Sequence, residues 1–405
     1  MKAVLHIGTE KTGTTLLQNW LYANRANLYQ KGIYLSENLG KPNNRYIPSY
    51  FRSELDDWAK ANNIRTLEEK GVFFRNFLIK LSDEIREASK NCDIFLITSE
   101  HFHSRLTERE DIESLKNYIS RNFDGVKIIC YFRNQFDVAV SAYSTSIKTG
   151  LSSDLNAFLD KADINSYYYN YLKIANVWSG AFGKENCEFR IYDRNAFKYN
   201  DIRKDFIDAI DSNIAFEGLD YSIVVANEAL SLLEAIAYIQ INKAIPYWDN
   251  ENGGINVENI RARYFLSNVN ELKRGVIRSN RREEIERRFE GINEEFFDVY
   301  FHCGNRFISS GSGVVETEEE ISLSDVAELI GKIVEAALQM SGSVNLYDSD
   351  ADYLRDIANR IAGKSESDLE DALRLMKLAK RARPNGPYIA RKVDEWTERL
   401  KKLRL

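Results

Sequence analysis

Four apolar runs, each leading into a segment with helical spacing, constrain this chain more than any other feature. They are "KAVLHI" from Lys2, "DIFLITSE" from Asp93, "GVKIICYFRN" from Gly125 and "CEFRIYD" from Cys187. A strand with one wet face alternates apolar and polar residues, whereas one that is apolar along its length is buried on both faces. Such strands, separated by helices, build a parallel sheet covered on both sides. Leu16, Leu17, Trp20, Leu21 and Leu28 recur at helical spacing after the first run, and Gly32 stops them. Further helices are predicted over 67–88, 110–121, 135–150, 155–159, 167–182 and 202–210. Residues 36–64, with Pro42 and Pro48, read as polar and irregular.

After about residue 227 the strand signals stop and helical ones continue. The stretch "SSGSGVVETEEEIS", residues 309–322, is small, polar and acidic, and reads as a linker. Beyond it, helices are predicted over 323–340, 350–362, 369–383 and 388–403, with Pro384 to Pro387 as a turn. The organisation expected is an α/β domain over 1–315 and an all-α appendage over 316–405.

Composition narrows the function. Hydrophobic residues make up 44% of the 405, enough for a sizeable core. A formal net charge of -6 argues against nucleic acid or an anionic membrane as partner. The four cysteines are far apart and form no C-x-x-C pair, which predicts free thiols, a reducing compartment and no zinc site. The N-terminus runs directly into a strand without a secretory pattern, and no apolar stretch is long enough to span a bilayer. The expectation is a cytoplasmic protein without stable membrane insertion.

The first strand runs into "HIGTEKTGTT", residues 6–15. Gly8 and Gly13 are spaced as in the phosphate loop G-x-x-x-x-G-K-[ST], but Thr14 fills the lysine slot and Lys11 lies inside the loop. A glycine-containing turn that opens a helix offers backbone N–H groups and the helix dipole to an anion. Lys11 adds a cation, and Thr12, Thr14 and Thr15 add hydroxyls. The plainer reading is a tight turn that needs glycine for its geometry. An NTP kinase wants lysine against the β/γ phosphates and an aspartate for magnesium on a second strand. Here that strand ends in Ser99 and Glu100.

"GTEKTGTT" resembles the 5′-phosphosulfate loop of sulfotransferases, P-K-[ST]-G-T-T, with Glu10 where proline is usual. "YFRNQFDVAVSAY" is similar to the same family's 3′-phosphate motif, an arginine at a strand end and a serine eight residues on, here Arg133 and Ser141. "EFRIYD" is similar to the strand end that brings a tyrosine, here Tyr192, to the adenine. "LKRG", residues 272–275, is a fainter match to a further 3′-phosphate loop and reads better as a helix end.

The resemblance covers roughly residues 1–305. It implies a P-loop-like α/β core using 3′-phosphoadenosine 5′-phosphosulfate (PAPS) as sulfuryl donor, with no metal. Lys11, Thr12, Gly13, Thr14 and Thr15 would hold the 5′-phosphate side, and Arg133 and Ser141 the 3′-phosphate. The acceptor's proton needs a base, for which "ITSEHFH" offers Glu100, favoured, His101 as runner-up, and His103. Likeness to bacterial members implies a glycan or glycan-precursor acceptor. The last three helices resemble a tetratricopeptide-like tail, a surface for a second copy or a protein partner. A magnesium-dependent kinase and a catalytically silent nucleotide-binding adaptor are the alternatives. His6 reads as a core residue, the run at Tyr168 and Tyr171 as a core-facing stripe, and "SNRREEIERR" as a solvated helix face.

Overall fold

A computed structural model describes residues 1–223, 230–249, 254–267, 269, 275–307, 348–362 and 366–403. The chain divides into two compact units, Met1–Ser322 and Leu323–Leu405. The linker expected at 309–322, the helix expected at 323–340 and the core of the "LKRG" match, 272–274, lie outside the described residues.

The first unit is built on five strands: β1 (Lys2–His6), β2 (Ile33–Leu35), β3 (Ile94–Thr98), β4 (Gly125–Phe132) and β5 (Cys187–Ile191). They pair in the order β2-β3-β1-β4-β5, every pair parallel. Leu5 stands opposite Ile97 on one side and Ile128 on the other. Alternate residues feed two cores, as period-two geometry requires. Ala3, Leu5, Phe95, Ile97, Ile128 and Phe132 pack under helices that contribute Leu115, Ile119, Tyr171 and Trp178. Val4, Leu96, Ile129 and Tyr131 pack under the first helix (Thr14–Ala23) and the helix Ile202–Ile210, through Leu17, Trp20, Phe206 and Ile207. The expected α/β architecture, a parallel sheet surrounded by helices, is the observed one.

Three local readings need correction. β2 has only three residues and falls in the gap between the helical run stopped at Gly32 and the irregular stretch from residue 36, where no element is expected. The helix expected over 67–88 is two, Leu67–Phe73 and Phe77–Ala88, separated at Asn76, whose φ of 64° is left-handed. The helix expected from 167 starts at Tyr171, because the Asn170 side chain caps it by accepting from Lys173 N–H at 2.9 Å. Tyr168 therefore lies in a turn before the helix rather than on its core stripe, while Tyr171 is fully buried.

In the second unit the described helices are Asp348–Ile361, Glu366–Ala382 and Pro387–Leu403. Ala351, Ala358, Leu373, Met376, Ile389 and Trp396 share a core of their own. The four cysteines are free. Among the described residues no helix is long and apolar enough to cross a membrane.

Candidate functional site

In a parallel sheet whose chain leaves a central strand in both directions, ligands bind beyond the carboxyl ends at the crevice this opens. The segments leaving β1, β3, β4 and β5 carry Lys11, Glu100, Arg133 and Tyr192, and all four line one cavity of about 1090 Å³. Gly13, Thr14, Thr15, His101 and Ser141 line it as well.

The loop after β1 is pinned by backbone bonds to β4, with Thr9 N–H donating to Tyr131 O at 2.9 Å and Tyr131 N–H to Gly8 O at 2.7 Å. Lys11 and Gly13 both have left-handed backbones, with φ of 66° and 71°. Alternating handedness turns successive N–H groups to the same side and makes a concavity for anions. Among the described residues no acceptor meets the N–H groups of Lys11, Thr12, Gly13, Thr14 or Thr15. A lysine held left-handed costs on the order of 1 kcal/mol, a cost tolerated where a ligand site is shaped.

Both loop glycines allow close approach. A Cβ on Gly8 would stand 3.2 Å from Glu100 Cα, and one on Gly13 would stand 3.0 Å from the Tyr192 hydroxyl. Thr14 and Thr15 face the cavity, but Thr12 does not. Its hydroxyl donates back to Thr9 O at 2.6 Å, so Thr12 closes the turn and only its N–H remains for a ligand.

Arg133 follows β4 directly. It donates to Lys11 O at 3.1 Å, and its guanidinium lies over the Tyr192 ring, 5.5 Å from the centroid. Ser141 lies on the helix Gln135–Lys148, whose cavity-lining residues also include Ser144 and Thr145. The Lys11 ammonium donates to the Thr145 hydroxyl, a partner four residues past the serine that spacing singled out.

Burial moves the two candidate bases in opposite directions. It raises the Glu100 carboxyl above its ordinary value, against the Gln18 amide, which donates to Oε2 at 2.5 Å and favours the charged form. Burial pushes His101 down to about 4, so its ring is neutral at pH 7. Asn43 Nδ2 lies 3.3 Å from His101 Nε2, which accepts from it and leaves the proton on Nδ1. Lys11 is pressed towards neutrality by burial, while Glu10 and Glu100 favour its charge.

His103 plays a third part. It accepts from Glu10 N–H at 3.3 Å through Nδ1, and its Nε2–H donates to Tyr168 O at 2.9 Å. The Tyr168 hydroxyl then donates to Glu10 Oε2 at 3.0 Å, closing a ring of three residues. Glu10, where the resemblance expects proline, thus anchors the loop by tertiary bonds. Its carboxyl sits below the usual range: burial alone would raise it, but the Ser104 hydroxyl and the positive Arg105 outweigh that. His6 is a core residue, buried against the rings of Tyr131 and Phe206, with Nδ1 2.9 Å from Thr98 Oγ1 and no partner for Nε2 among the described residues.

These histidines set an acid limit. His6, pushed by burial to about 3, His101 at about 4 and His103, also lowered, each titrate near 6.5 when unfolded. Folded-state values below the unfolded ones mean stability fully present above about 6.5 and lost as pH falls towards 4. Melting temperature followed from pH 8 to 4 should fall through this window. His101→Gln should flatten the decline, and an unchanged slope would remove His101 from the account.

The basic run at 279–288 is ion-paired. Arg281 meets Asp160 and Glu284, each at 2.7 Å, and Arg282 meets Glu286 at 3.1 Å. No family model matches the chain. No solved structure matches it. It is 26% identical to an uncharacterized protein of Archaeoglobus fulgidus over 218 residues, 53% of this chain and 55% of that protein. The chain thus spans about half the length of the relative it matches.

Proposed function

We propose that this chain is a PAPS-dependent sulfotransferase with a P-loop-like core, acting on a hydroxyl or amine. The observation that carries the reading is the delivery of Lys11, Glu100, Arg133 and Tyr192 from four parallel strands into one cavity. The sheet order, with β1 in the middle and its loop opening the first helix, supports the P-loop likeness. The unmet N–H groups from Lys11 to Thr15 fit a phosphate or sulfate. Arg133 and Ser141, lining the same cavity from a strand end and a helix, fit a second phosphate.

PAPS supplies an activated sulfuryl group: sulfur gains a bond to the acceptor and loses its bond to the 5′-phosphate oxygen. The loop N–H groups with Thr14 and Thr15 would hold that phosphate, and Tyr192 would border the adenine. Glu100 would take the acceptor's proton, and Lys11 would balance the charge on the departing bisphosphate. The opposed shifts of Glu100 and His101 favour Glu100, since a ring titrating at about 4 has little affinity for a proton at pH 7. The lysine displaced from the kinase slot weighs against ATP chemistry. The pairing of Lys11 with Glu100 in one cavity weighs against a silent adaptor. The C-terminal helices are left, in this reading, for a second copy or a protein partner.

Thermal denaturation tests the reading. Adenosine 3′,5′-bisphosphate at about a hundred times its dissociation constant should stabilise the protein by about 2.7 kcal/mol. ATP with magnesium at the same concentration should do much less, and equal stabilisation would sink the proposal. Arg133→Ala should weaken bisphosphate binding by about 1.5–3 kcal/mol, the worth of a hydrogen bond to a charged group. Titration calorimetry giving a wild-type affinity would remove Arg133 from the 3′-phosphate site.

A further inference from the structure

We propose that the acceptor end of this cavity binds an uncharged sugar residue, set against Trp58 and hydrogen-bonded by the Asp57–Arg105 pair. The inference rests on the sulfotransferase reading and names its acceptor class. Asn43, Tyr46, Asp57, Trp58, His101 and Arg105 line the cavity together with Glu100. They come from loops and short helices beyond the sheet, where acceptor specificity has room to be built.

The charges here answer one another. Arg105 grips Asp57 with two parallel bonds, Nε to Oδ1 at 2.7 Å and Nη2 to Oδ2 at 3.0 Å. Buried Arg45 donates to Asp56 at 2.8 Å and to Asp57 at 3.0 Å. Glu10 lies 3.9 Å from Arg105, and Lys41 pairs with Glu37 at 3.0 Å. An anionic acceptor would have to break the Arg105–Asp57 pair and bring its charge beside Glu10, Asp57 and Glu100. Removing one partner of a half-buried pair is costly, because the other is left uncompensated. A long-chain alcohol or a steroid fails for the opposite reason. It would cover the Asn43 amide, the His101 ring and the Asp57–Arg105 edge with groups that cannot bond them.

A neutral sugar matches both features. Its hydroxyls donate and accept, so they can bond a carboxylate edge, a guanidinium, an amide and a neutral imidazole without moving a charge. The apolar C–H face of a sugar needs a flat apolar partner. Trp58 offers one, fixed by the rings of Tyr46, Phe73 and Phe74 with centroids at 5.7, 5.0 and 5.4 Å. Trp248 lines the same cavity with the Lys60 ammonium 4.4 Å from its ring centroid, so Trp58 is the aromatic partner on which the proposal depends.

Binding is measured directly by titration calorimetry, with and without adenosine 3′,5′-bisphosphate. The probes are neutral hexose and N-acetylhexosamine oligosaccharides, hexuronate oligomers of equal length, and dodecanol. At least one neutral oligosaccharide should bind saturably and receive labelled sulfate. Hexuronates should bind at least roughly tenfold more weakly, given the charge each must place beside carboxylates. Trp58→Ala should weaken sugar binding roughly tenfold while bisphosphate affinity stays unchanged, and Trp58→Phe should retain most of it. Hexuronate or dodecanol binding as tightly as the best neutral sugar would overturn the proposal. So would full sugar affinity in Trp58→Ala, or bisphosphate binding with no neutral sugar bound. Sugar bound by a protein indifferent to the bisphosphate would support this site and sink the sulfotransferase reading instead.

Discussion

Glu100→Gln is expected to lower sulfate transfer by about 10²–10⁴-fold while leaving bisphosphate affinity unchanged, because the amide keeps shape and loses basicity. The same variant should be more stable than wild type at neutral pH. Burial raises the Glu100 carboxyl, so the folded chain holds its proton more tightly than the unfolded chain does. That contribution is fully present below about 4.5, the unfolded value, and is lost as pH rises through the folded value. The glutamine never ionises and avoids the loss. The two melting curves should therefore coincide below about 4.5, separate as pH rises from there, and stay a constant distance apart above the folded value, with the variant higher. His101→Ala should affect transfer far less. A reversed ranking of the two variants at saturating donor would hand the proton to His101.

Lys11→Ala is expected to cut turnover by about two to three orders of magnitude, comparable to losing one preorganised donor at a developing charge. Ground-state donor binding should suffer much less, because the charge that Lys11 meets grows only as the S–O bond breaks. The structure adds a control. Lys11 is held by Thr145 on the helix Gln135–Lys148, so Thr145→Val should free the ammonium without removing it. If Lys11 acts through its charge, Thr145→Val retains turnover within about tenfold, as expected of one neutral hydrogen bond. Equal losses in the two variants would show that the contact, rather than the charge, matters.

The residues legible in the sequence share one property: each follows an apolar run closely. Lys11, Glu100, Arg133 and Tyr192 come within a few residues of the ends of β1, β3, β4 and β5, and parallel pairing alone sends those ends to one edge. Ser141 was legible because a helix converts sequence spacing into distance. What was missed lacks local expression. Gln18 looks like one polar residue among core leucines, and only the fold sets it against Glu100, 82 positions on. Asp57 and Arg105 sit 48 positions apart, the first inside a stretch that reads as irregular. β2 escaped because three residues carry no period. Thr12 was assigned to the ligand by residue type, but a hydroxyl next to its own turn bonds the nearer carbonyl first.

The ring of Glu10, His103 and Tyr168 has a bearing on how portable this motif is. A proline at Glu10 would stiffen the loop from within, and ten residues could then carry their shape elsewhere. Here the stiffness is borrowed from partners 93 and 158 positions away. Grafting residues 6–15 onto another βα turn should transfer the letters without the cradle. A fragment that ends before Tyr168 should likewise keep Lys11 and lose its aim, even with β1, β3 and β4 all present. The anion recognition proposed for this loop would then be a property of the assembled domain, and a scan for short motifs would find the loop while missing what holds it in shape.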